Sequence, residues 1–274
     1  MIIWIASYPK SGNTWVRSFL TSYLFNTNEK FNLKLLDKID QFPRLKNFVD
    51  INEDPQNLLD ISKLWITAQN RINLSNKITF LKTHHAMCTI QNHPFTNKDN
   101  TLGAIYIVRD PRDIVISYSH HIEYNYKDTI DRMISEKMQT VLFDDKKERT
   151  LALIGNWSEN YNSWKNFNIQ KKIIVKYEDL VNKPLENFFK IIQFLSSLYD
   201  LKVDEGKVKE CIEITRFSNL QDLEKKFGFK ERVGKKELFF RTGKINQWKQ
   251  KLEKQDVLRL ENAFKDEMRE LGYI

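Results

Sequence analysis

The first 25 residues combine three local features in a fixed order. An apolar run at 2–6 is followed by a polar turn at 7–15, with the sequence SYPKSGNTW, and a helix-like pattern continues over 16–25. A strand, a Gly-containing turn and a helix start bring unpaired backbone N–H groups, the positive end of the helix dipole and the Lys10 ammonium around one small volume. Such a volume favours a phosphate or a sulfate group.

Short apolar runs recur along the chain and predict a parallel sheet. The run at 2–6 is continuously apolar, which is typical of a strand buried on both faces, and further strands are predicted at 78–81, 103–108 and 171–177. Amphipathic helices are predicted at 184–198 and 203–215, and Trp157, Tyr161 and Trp164 form a core-facing helical stripe. The pattern predicts an α/β fold with a central parallel β-sheet flanked by helices.

Candidate functional residues follow two of these strands. His84 comes at the end of the second strand, with His85 as the fallback if the register differs by one. Arg109 follows the third strand, and Asp110-Pro111 supplies an N-cap and a proline at N1 for the next helix. Because ligands of open α/β sheets bind at the carboxyl ends of the strands, we expect these residues to lie near the 7–15 turn.

Composition narrows the function classes. The formal net charge of +8 favours anionic partners, but the chain has no block of like charge and no Arg-rich arm, so nucleic-acid binding is not expected. Cys88 and Cys211 have no metal or disulfide spacing, and the adjacent His120 and His121 diverge on a helix, which disfavours a joint metal site. The apolar run at 2–6 is too short for a signal peptide or a membrane span. We expect a cytoplasmic protein.

No repeat or linker divides the sequence, so we expect a single domain over 1–274. Within it, 31–77, 123–149 and 227–240 are predicted to be cap and lid segments on the side of a second substrate, and 227–240 is predicted to be a mobile loop. The charged tail over 253–271 is predicted to be one amphipathic helix. The aromatic residues Phe42, Phe48, Trp65 and Tyr124 are compatible with either a pocket lining or a core.

Five motifs, taken in order, resemble those of the sulfotransferases that use 3′-phosphoadenosine 5′-phosphosulfate (PAPS), in particular the soluble, cytosolic and bacterial-like type. They are the 7–15 loop, Lys82-Thr83-His84, Arg109 with Ser117 eight residues later, Tyr177-Glu178-Asp179-Leu180, and Arg241-x-Gly243 followed by Trp248-Lys249. Thr215-Arg216-Phe217 is a looser match. Thr242 stands where the family usually has Lys, and Lys244 is a candidate for supplying that charge.

The resemblance implies a P-loop-like three-layer fold and an enzyme of the EC 2.8.2 type. It implies PAPS as donor, 3′-phosphoadenosine 5′-phosphate (PAP) as product, and no metal. Lys10 and Lys82 would stabilise charge during transfer, and His84, with an ordinary pKa near ~6.5, would be the general base. Arg109, Ser117 and Arg241 would hold the 3′-phosphate. The implied donor-binding set is Lys10, Ser11, Gly12, Asn13, Thr14, Trp15, Arg109, Ser117, Tyr177, Thr215, Phe217, Arg241, Thr242 and Gly243.

Two other function classes stay open at this point. A Mg²⁺-dependent P-loop kinase is disfavoured, because no Gly precedes Lys10 as a Walker A loop requires and no strand-borne Walker B acid is found. A non-catalytic nucleotide or nucleic-acid binder is disfavoured by the presence of both Lys10 and His84. The acceptor is a small molecule or a glycan, with a hydroxyl or an amine to be sulfated, and lipid hydroxyls stay open. The sequence predicts no oligomeric state.

Overall fold

The computed structural model describes residues 1–26, 31–48, 57–136, 139–143, 149–169, 171–234 and 236–274, with the backbone alone for 139–143 and 149–150. The strands are β1 (Ile2–Ser7), β2 (Asp40–Gln41), β3 (Thr79–Thr83), β4 (Thr89–Ile90), β5 (His93–Pro94), β6 (Thr101–Val108), β7 (Gln139–Phe143), β8 (Arg149–Leu153) and β9 (Lys172–Lys176). The helices are α1 (Asn13–Phe25), α2 (Leu58–Asn73), α3 (Pro111–Ile122), α4 (Tyr126–Ile134), α5 (Trp157–Asn166), α6 (Tyr177–Asn182), α7 (Pro184–Ser196), α8 (Glu205–Ile214), α9 (Phe217–Phe227), α10 (Trp248–Lys251), α11 (Lys254–Ala263) and α12 (Lys265–Glu270). Two short 3₁₀ helices span Leu33–Lys38 and Leu45–Asn47.

The central sheet has the strand order β2-β3-β1-β6-β9, and its pairs are parallel. Ala6 near the end of β1 is opposite Thr83 of β3 on one side and Tyr106 of β6 on the other. The carboxyl ends of these three strands therefore meet at one edge. The chain leaves β1 to build β2 and β3 on one side and later builds β6 and β9 on the other, so β1 lies at the position where ligands of such sheets bind.

Side chains of β1 alternate between two apolar layers. Ile2, Trp4 and Ala6 pack in a core with α2, α3 and α5, whereas Ile3 and Ile5 pack in a second core with α1, α7 and α8. Each of these β1 side chains is fully buried. Burial on both faces explains why the strand is continuously apolar rather than alternating.

The predicted α/β fold is confirmed, with shifts at the element boundaries. The second strand runs two residues further than 78–81 predicts and so includes Lys82 and Thr83, and the third begins at Thr101 instead of Gly103. The tail predicted as one helix over 253–271 is two helices that meet at Phe264, which is buried. The edge strand β2 and helix α4 lie in segments predicted to be cap and lid, where the periodicity is weak.

The stripe at Trp157, Tyr161 and Trp164 lies on α5 and is buried, as predicted. Phe42, Phe48 and Trp65 are also buried in the core, so these three are not pocket residues. Tyr124 is 51% exposed and lies outside the cavity described below. The segment over 227–240 begins at the end of α9, and nothing in the structure tests its predicted mobility.

Candidate active site

The turn after β1 has the geometry of an anion-binding loop. Gly12 has φ of 103° and its carbonyl accepts from the backbone N–H groups of Trp15 and Val16, which begins helix α1. Lys10 also has a positive φ, 65°, a conformation that costs energy for a residue with a Cβ. The Asn13 amide donates to the Ile5 carbonyl at 3.0 Å and to the Ser7 hydroxyl at 3.2 Å, which ties the start of the helix to the strand.

A cavity of about 510 Å³ opens beside this turn at the carboxyl edge of the sheet. Its wall includes all but two of the predicted site residues. These are Lys10, Gly12, Asn13, Thr14, Trp15, Lys82, His84, Arg109, Ser117, Tyr177, Phe217, Arg241, Thr242 and Gly243. Residues separated by more than two hundred positions in the sequence thus lie around one volume. Within the described residues, 123–149 contributes no side chain to this wall.

Ser11 and Thr215 are the two exceptions. Both side chains are fully buried and neither lies in the cavity wall. The Thr215 hydroxyl donates to the Cys211 carbonyl at 2.7 Å at the end of α8, so its polar group is used within the helix. The Ser11 hydroxyl has no hydrogen-bond partner in the described part of the chain.

One wall of the cavity is built around Tyr177. The Arg109 guanidinium lies 4.3 Å from the centre of the Tyr177 ring, and Trp15 meets the same ring edge-on with centroids 5.9 Å apart. A Cβ added at Gly12 would lie 2.4 Å from the Tyr177 ring, so the turn needs glycine both for its φ and for this contact. The hydroxyl of Tyr177 donates to the Gly243 carbonyl at 3.1 Å.

The residues of this wall fit an anionic nucleotide. Arg109 is 5% exposed, and its guanidinium donates to the Lys10 carbonyl at 3.2 Å and the Lys244 carbonyl at 3.0 Å. Its Nε has no partner among the described residues. A buried charge with an unused donor and no carboxylate bonded to it favours an anionic ligand. The aromatic rings of Trp15, Tyr177 and Phe217 offer apolar faces of the kind on which a base stacks.

The segment around Gly243 completes the wall. Gly243 has φ of 64°, and a Cβ there would lie 2.5 Å from the Phe217 ring. Arg241 and Thr242 both donate to the Gln247 side-chain oxygen at 3.2 Å. The hydroxyl of Thr242 therefore occupies a hydrogen-bonding position but brings no charge. Lys244 is exposed and its side chain does not line the cavity, so the structure does not place its ammonium where the missing Lys charge would be.

His84 lies in the cavity wall and its ring is oriented by β1. Nδ1 of His84 lies 2.8 Å from the Ser7 carbonyl oxygen and 3.2 Å from the Ser7 hydroxyl. Because a carbonyl oxygen only accepts, Nδ1 carries the proton of the neutral ring, which leaves Nε2 as the basic nitrogen. Burial and then the Lys82 charge lower the pKa of His84 to about 3. The pKa of His84 thus lies well below the ordinary histidine value near ~6.5, and the ring is neutral at physiological pH.

His85 does not share this environment. Its ring is buried and stacked on Phe95 with centroids 4.4 Å apart, and its Nδ1 donates to the Ala86 carbonyl at 2.7 Å. The structure therefore resolves the register left open by the sequence, because His84 faces the cavity and His85 is part of the core.

Lys10 and Lys82 bring two ammonium groups to the same wall. Burial is the main cause that lowers the pKa of Lys10, to about 7, and burial also lowers the pKa of Lys82. The Lys10 ammonium lies 3.7 Å from the centre of the Phe239 ring, a cation–π contact. Phe239 is itself fixed, because its backbone N–H donates to the Glu224 carboxylate at 2.7 Å. The two lysines form a positive region beside the neutral His84.

Glu231 is a site residue that the sequence did not reveal. Its carboxylate accepts from Arg17 at 2.7 Å and from Lys82 at 3.1 Å, which ties the 227–240 segment to α1 and β3. Burial alone would raise the pKa of Glu231, but Arg17 and Lys82 together hold it well below its usual range. Residues 17, 82 and 231 have no local spacing in common. One indication of this ion-pair cluster was present in the sequence, which is Arg17, a charged residue within the apolar helix α1.

Replacing Glu231 with glutamine is expected to lower the free energy of unfolding by about 2 kcal/mol, because two buried cations lose their counter-charge. Denaturant titration measures the change. The matched control is Glu205→Gln, which removes the carboxylate of an ion pair whose members, Glu205 and Lys209, are 57% and 58% exposed. That pair should contribute less than about 0.5 kcal/mol. Equal losses in the two variants would show that Glu231 does not anchor the segment.

Comparison with known proteins identifies the family. Residues 2–272 match the family model described as "Sulfotransferase domain". The chain belongs to the sulfotransferase family. The match covers nearly the whole sequence and includes every residue of the site described above. The predicted enzyme class, a PAPS-dependent sulfotransferase of the EC 2.8.2 type, is confirmed, and the kinase alternative is excluded.

Named relatives of this sulfotransferase are about one quarter identical to it. Cytosolic sulfotransferase 7 of Arabidopsis thaliana is 24% identical, with 90% of this chain and 73% of the relative covered. Flavonol 4'-sulfotransferase of Flaveria chlorifolia is 26% identical, with 98% and 75% covered. Amine sulfotransferase of Oryctolagus cuniculus is 24% identical, with 98% and 81% covered.

Solved structures confirm the P-loop-like fold of this sulfotransferase. Retinol dehydratase in complex with androsterone and PAP superposes with a TM-score of 0.63 at 17% identity, over 97% of this chain and 80% of that one. A mouse sulfotransferase complexed with PAP superposes with a TM-score of 0.62 at 17% identity, over 98% and 84%. At this identity the likeness concerns the fold.

Two further observations concern the sulfotransferase chain as described. None of its described helices combines the length and the apolar character that crossing a membrane requires. The described residues also contain no group of three or more His, Cys, Asp or Glu side chains arranged to hold a metal ion.

Proposed function

We propose that this sulfotransferase moves a sulfuryl group from PAPS to a hydroxyl or amine of a small-molecule or glycan acceptor, with Lys10, Lys82 and His84 as the reacting-site residues. The observation that carries the proposal is their placement. Both ammonium groups and the neutral imidazole line the same cavity as Arg109 and Tyr177. One cavity thus offers an anion site, positive charge for the transferred group and a base for the acceptor.

The donor would lie with its nucleotide along the Tyr177 wall. In this proposal Trp15, Tyr177 and Phe217 contact the base, and the 7–15 turn holds the 5′-phosphosulfate with backbone N–H groups at the start of α1. Arg109, Ser117 and Arg241 hold the 3′-phosphate. Ser11 and Thr215 are buried behind the wall, so their contribution is to support Gly12 and Phe217, and not to contact the nucleotide through their hydroxyl groups.

Transfer breaks the bond between sulfur and the bridging oxygen of the donor and forms a bond from sulfur to the acceptor oxygen or nitrogen. Negative charge develops on the bridging oxygen, where the Lys10 ammonium stabilises it, and Lys82 stabilises the sulfuryl oxygens. The acceptor proton passes to Nε2 of His84, whose tautomer is fixed by the Ser7 carbonyl. The PAP product carries the charge released by the transfer.

The proposal also concerns the domain organisation, the acceptor side of the cavity and the location of the protein. Residues 1–274 act as one domain, and 31–77 and 227–240 border the acceptor, since Gln41, Arg44, Glu231 and Val233 line the cavity. We propose a cytoplasmic location, because the Arabidopsis thaliana relatives are by name cytosolic enzymes. A binder without catalysis would take up PAP but transfer no sulfate from PAPS, and labelled donor offered to an acceptor panel distinguishes the two.

Arg109→Met tests the donor assignment. Because charge-assisted hydrogen bonds contribute roughly 1.5–3 kcal/mol, the variant is expected to bind PAP about 10- to 100-fold more weakly. Calorimetry measures the affinity for PAP and, in a second titration, for adenosine 5′-phosphate, which lacks the 3′-phosphate. If Arg109 holds that group, the variant loses the preference for PAP over adenosine 5′-phosphate, whereas mere distortion of the wall weakens both ligands equally.

The control for this experiment is Arg216→Met. Arg216 pairs with Glu213 on the surface, and their side chains are 60% and 72% exposed. This substitution removes the same charge from a side chain that does not line the cavity, and it should leave PAP affinity within about twofold. Unchanged affinity of Arg109→Met for PAP would overturn the 3′-phosphate assignment.

A further inference from the structure

A second histidine, His121, faces the cavity that contains His84. Ser117 and His121 are four residues apart on α3 and both line the cavity, as expected for one face of a helix. His120 is not part of this wall, since it pairs with Glu237 at 3.0 Å and lines a smaller adjoining pocket. Because the side chains of His120 and His121 diverge on the helix, His121 is the one of this pair that lines the cavity.

The His121 side chain makes no hydrogen bond within the residues that the structure describes. Its ring contact is with Phe239, edge-on with centroids 5.6 Å apart. By contrast, Arg44 is paired with Asp40 and Lys82 with Glu231 in the same wall. His121 therefore presents to the cavity, which Lys10 and His84 also line, two nitrogen atoms without a hydrogen bond among the described residues.

His121 is also neutral. Burial is the main cause that lowers its pKa, and together with the charges of Lys10 and Lys82 it brings that pKa to about 3. A neutral imidazole has one N–H donor and one nitrogen acceptor. This pair of functions matches a hydroxyl group, which itself donates and accepts.

We propose that His121 is a specificity-determining residue that hydrogen-bonds a second polar group of the acceptor, so that the acceptor class is a polyhydroxy compound. The inference rests on the sulfuryl transfer proposed above and adds a requirement to it. One hydroxyl of the acceptor is sulfated beside His84, and another is recognised by His121.

Desolvation provides the selectivity. An acceptor that fills the cavity displaces the solvent around His121. An apolar group placed there leaves a polar ring without a partner, which costs roughly 1–3 kcal/mol, whereas a hydroxyl restores the hydrogen bond. Sites built to hydrogen-bond a hydroxyl reject analogues that lack it for this reason. The cavity should therefore discriminate by the number and position of acceptor hydroxyls.

The test uses PAPS with pairs of acceptors that differ by one hydroxyl: 2-naphthol against the isomeric dihydroxynaphthalenes, and cyclohexanol against the cyclohexanediols. We expect at least one diol to exceed its monohydroxy partner about 10- to 100-fold in kcat/KM. His121→Phe should reduce that ratio to the statistical advantage of having two equivalent hydroxyls that can each be sulfated. His121→Asn should retain part of the preference for the diol. His120→Phe, the adjacent control, should leave the ratio unchanged.

Several results would overturn the inference. One is a wild-type enzyme that fails to prefer any diol, or that transfers sulfate to no member of any pair although PAP binds normally. Another is a preference for a diol that persists in His121→Phe. The last is a loss of PAP affinity in His121→Phe as large as that in Arg109→Met, which would assign His121 to the donor-binding site. Failure of the wild-type protein to bind PAP would instead remove the proposed function itself, so the two failures are distinguishable.

Discussion

Replacing Lys10 with methionine is expected to lower kcat by about 10³-fold or more. The substitution keeps an unbranched side chain that is one atom shorter and removes the charge next to the bridging oxygen, where negative charge develops during transfer. Removal of one preorganised donor to such an oxygen typically costs about 10²–10³-fold, and Lys10 supplies a full charge from a half-buried position. Single-turnover rates with labelled PAPS measure the effect on the chemical step.

Proton uptake provides a second test of Lys10. Because the pKa of Lys10 is about 7, its side chain is mostly neutral at pH 8 in the free protein, and a bound anion raises that pKa. PAP binding at pH 8 should therefore take up a proton, and PAP affinity should fall as pH rises above 7. Calorimetry in two buffers of different ionisation enthalpy measures the uptake, and Lys10→Met should abolish it.

The control for both measurements is Lys225→Met, since Lys225 forms an ion pair with Asp222 in which both side chains are at least half exposed. It should alter neither the rate nor the proton uptake. A normal single-turnover rate in Lys10→Met would exclude the lysine from the chemistry. A normal proton uptake in that variant would show that another group titrates when PAP binds.

The predictable part of the site is the part that local sequence determines. The apolar run of β1, the turn with Gly12 and the helix start all lie within 25 residues, and each follows from the conformational preferences of its own segment. Asp110 caps α3 as expected, because its side chain accepts from the Arg112 N–H two positions later. The parallel order of the sheet then places these strand ends together, as its topology requires.

The rest of the site depends on contacts between distant segments. Glu231 reaches Arg17 and Lys82 only because the 227–240 segment folds back over the sheet edge, and no periodicity encodes that path. Phe239 approaches Lys10 for the same reason. The low pKa of His84 could not be predicted from the Lys-Thr-His string, because burial, the main cause of its shift, is a property of the folded cavity.

The acceptor side illustrates the same limit. Four aromatic residues were possible pocket residues by composition, and three of them lie in the core instead. Three of the side chains that do face the cavity, Gln41, Arg44 and His121, are polar and come from segments with weak periodicity or from the far end of α3. Binary patterning identifies buried apolar positions well, but it has no means of distinguishing a polar side chain in solvent from one in a cavity.

Replacing His84 with alanine is expected to lower kcat by roughly 10²–10⁴-fold, the range typical for loss of a general base. PAP affinity should be nearly unchanged, because the proposed donor contacts are made by the 7–15 turn and by the wall that contains Arg109 and Tyr177. His93→Ala, which removes an imidazole outside the cavity, is the matched control and should retain the wild-type rate. A normal kcat in His84→Ala would assign proton removal to another group, and a large loss of PAP affinity would assign His84 to the donor site.

The pH dependence separates a catalytic His84 from a merely structural one. A base is active when unprotonated, so kcat/KM should fall as pH decreases through the pKa of His84 in the free enzyme. Since that pKa is about 3, the acid limb attributable to His84 should lie well below pH 6.5. Ser7 fixes the ring through its carbonyl, and Lys82 disfavours the imidazolium, so Lys82→Met should move the acid limb to higher pH. An acid limb near pH 6.5 that disappears in His84→Ala would mean that the ring is more solvated during catalysis than its half-buried position implies. A limb that Lys82→Met fails to move would show that the two groups do not interact electrostatically.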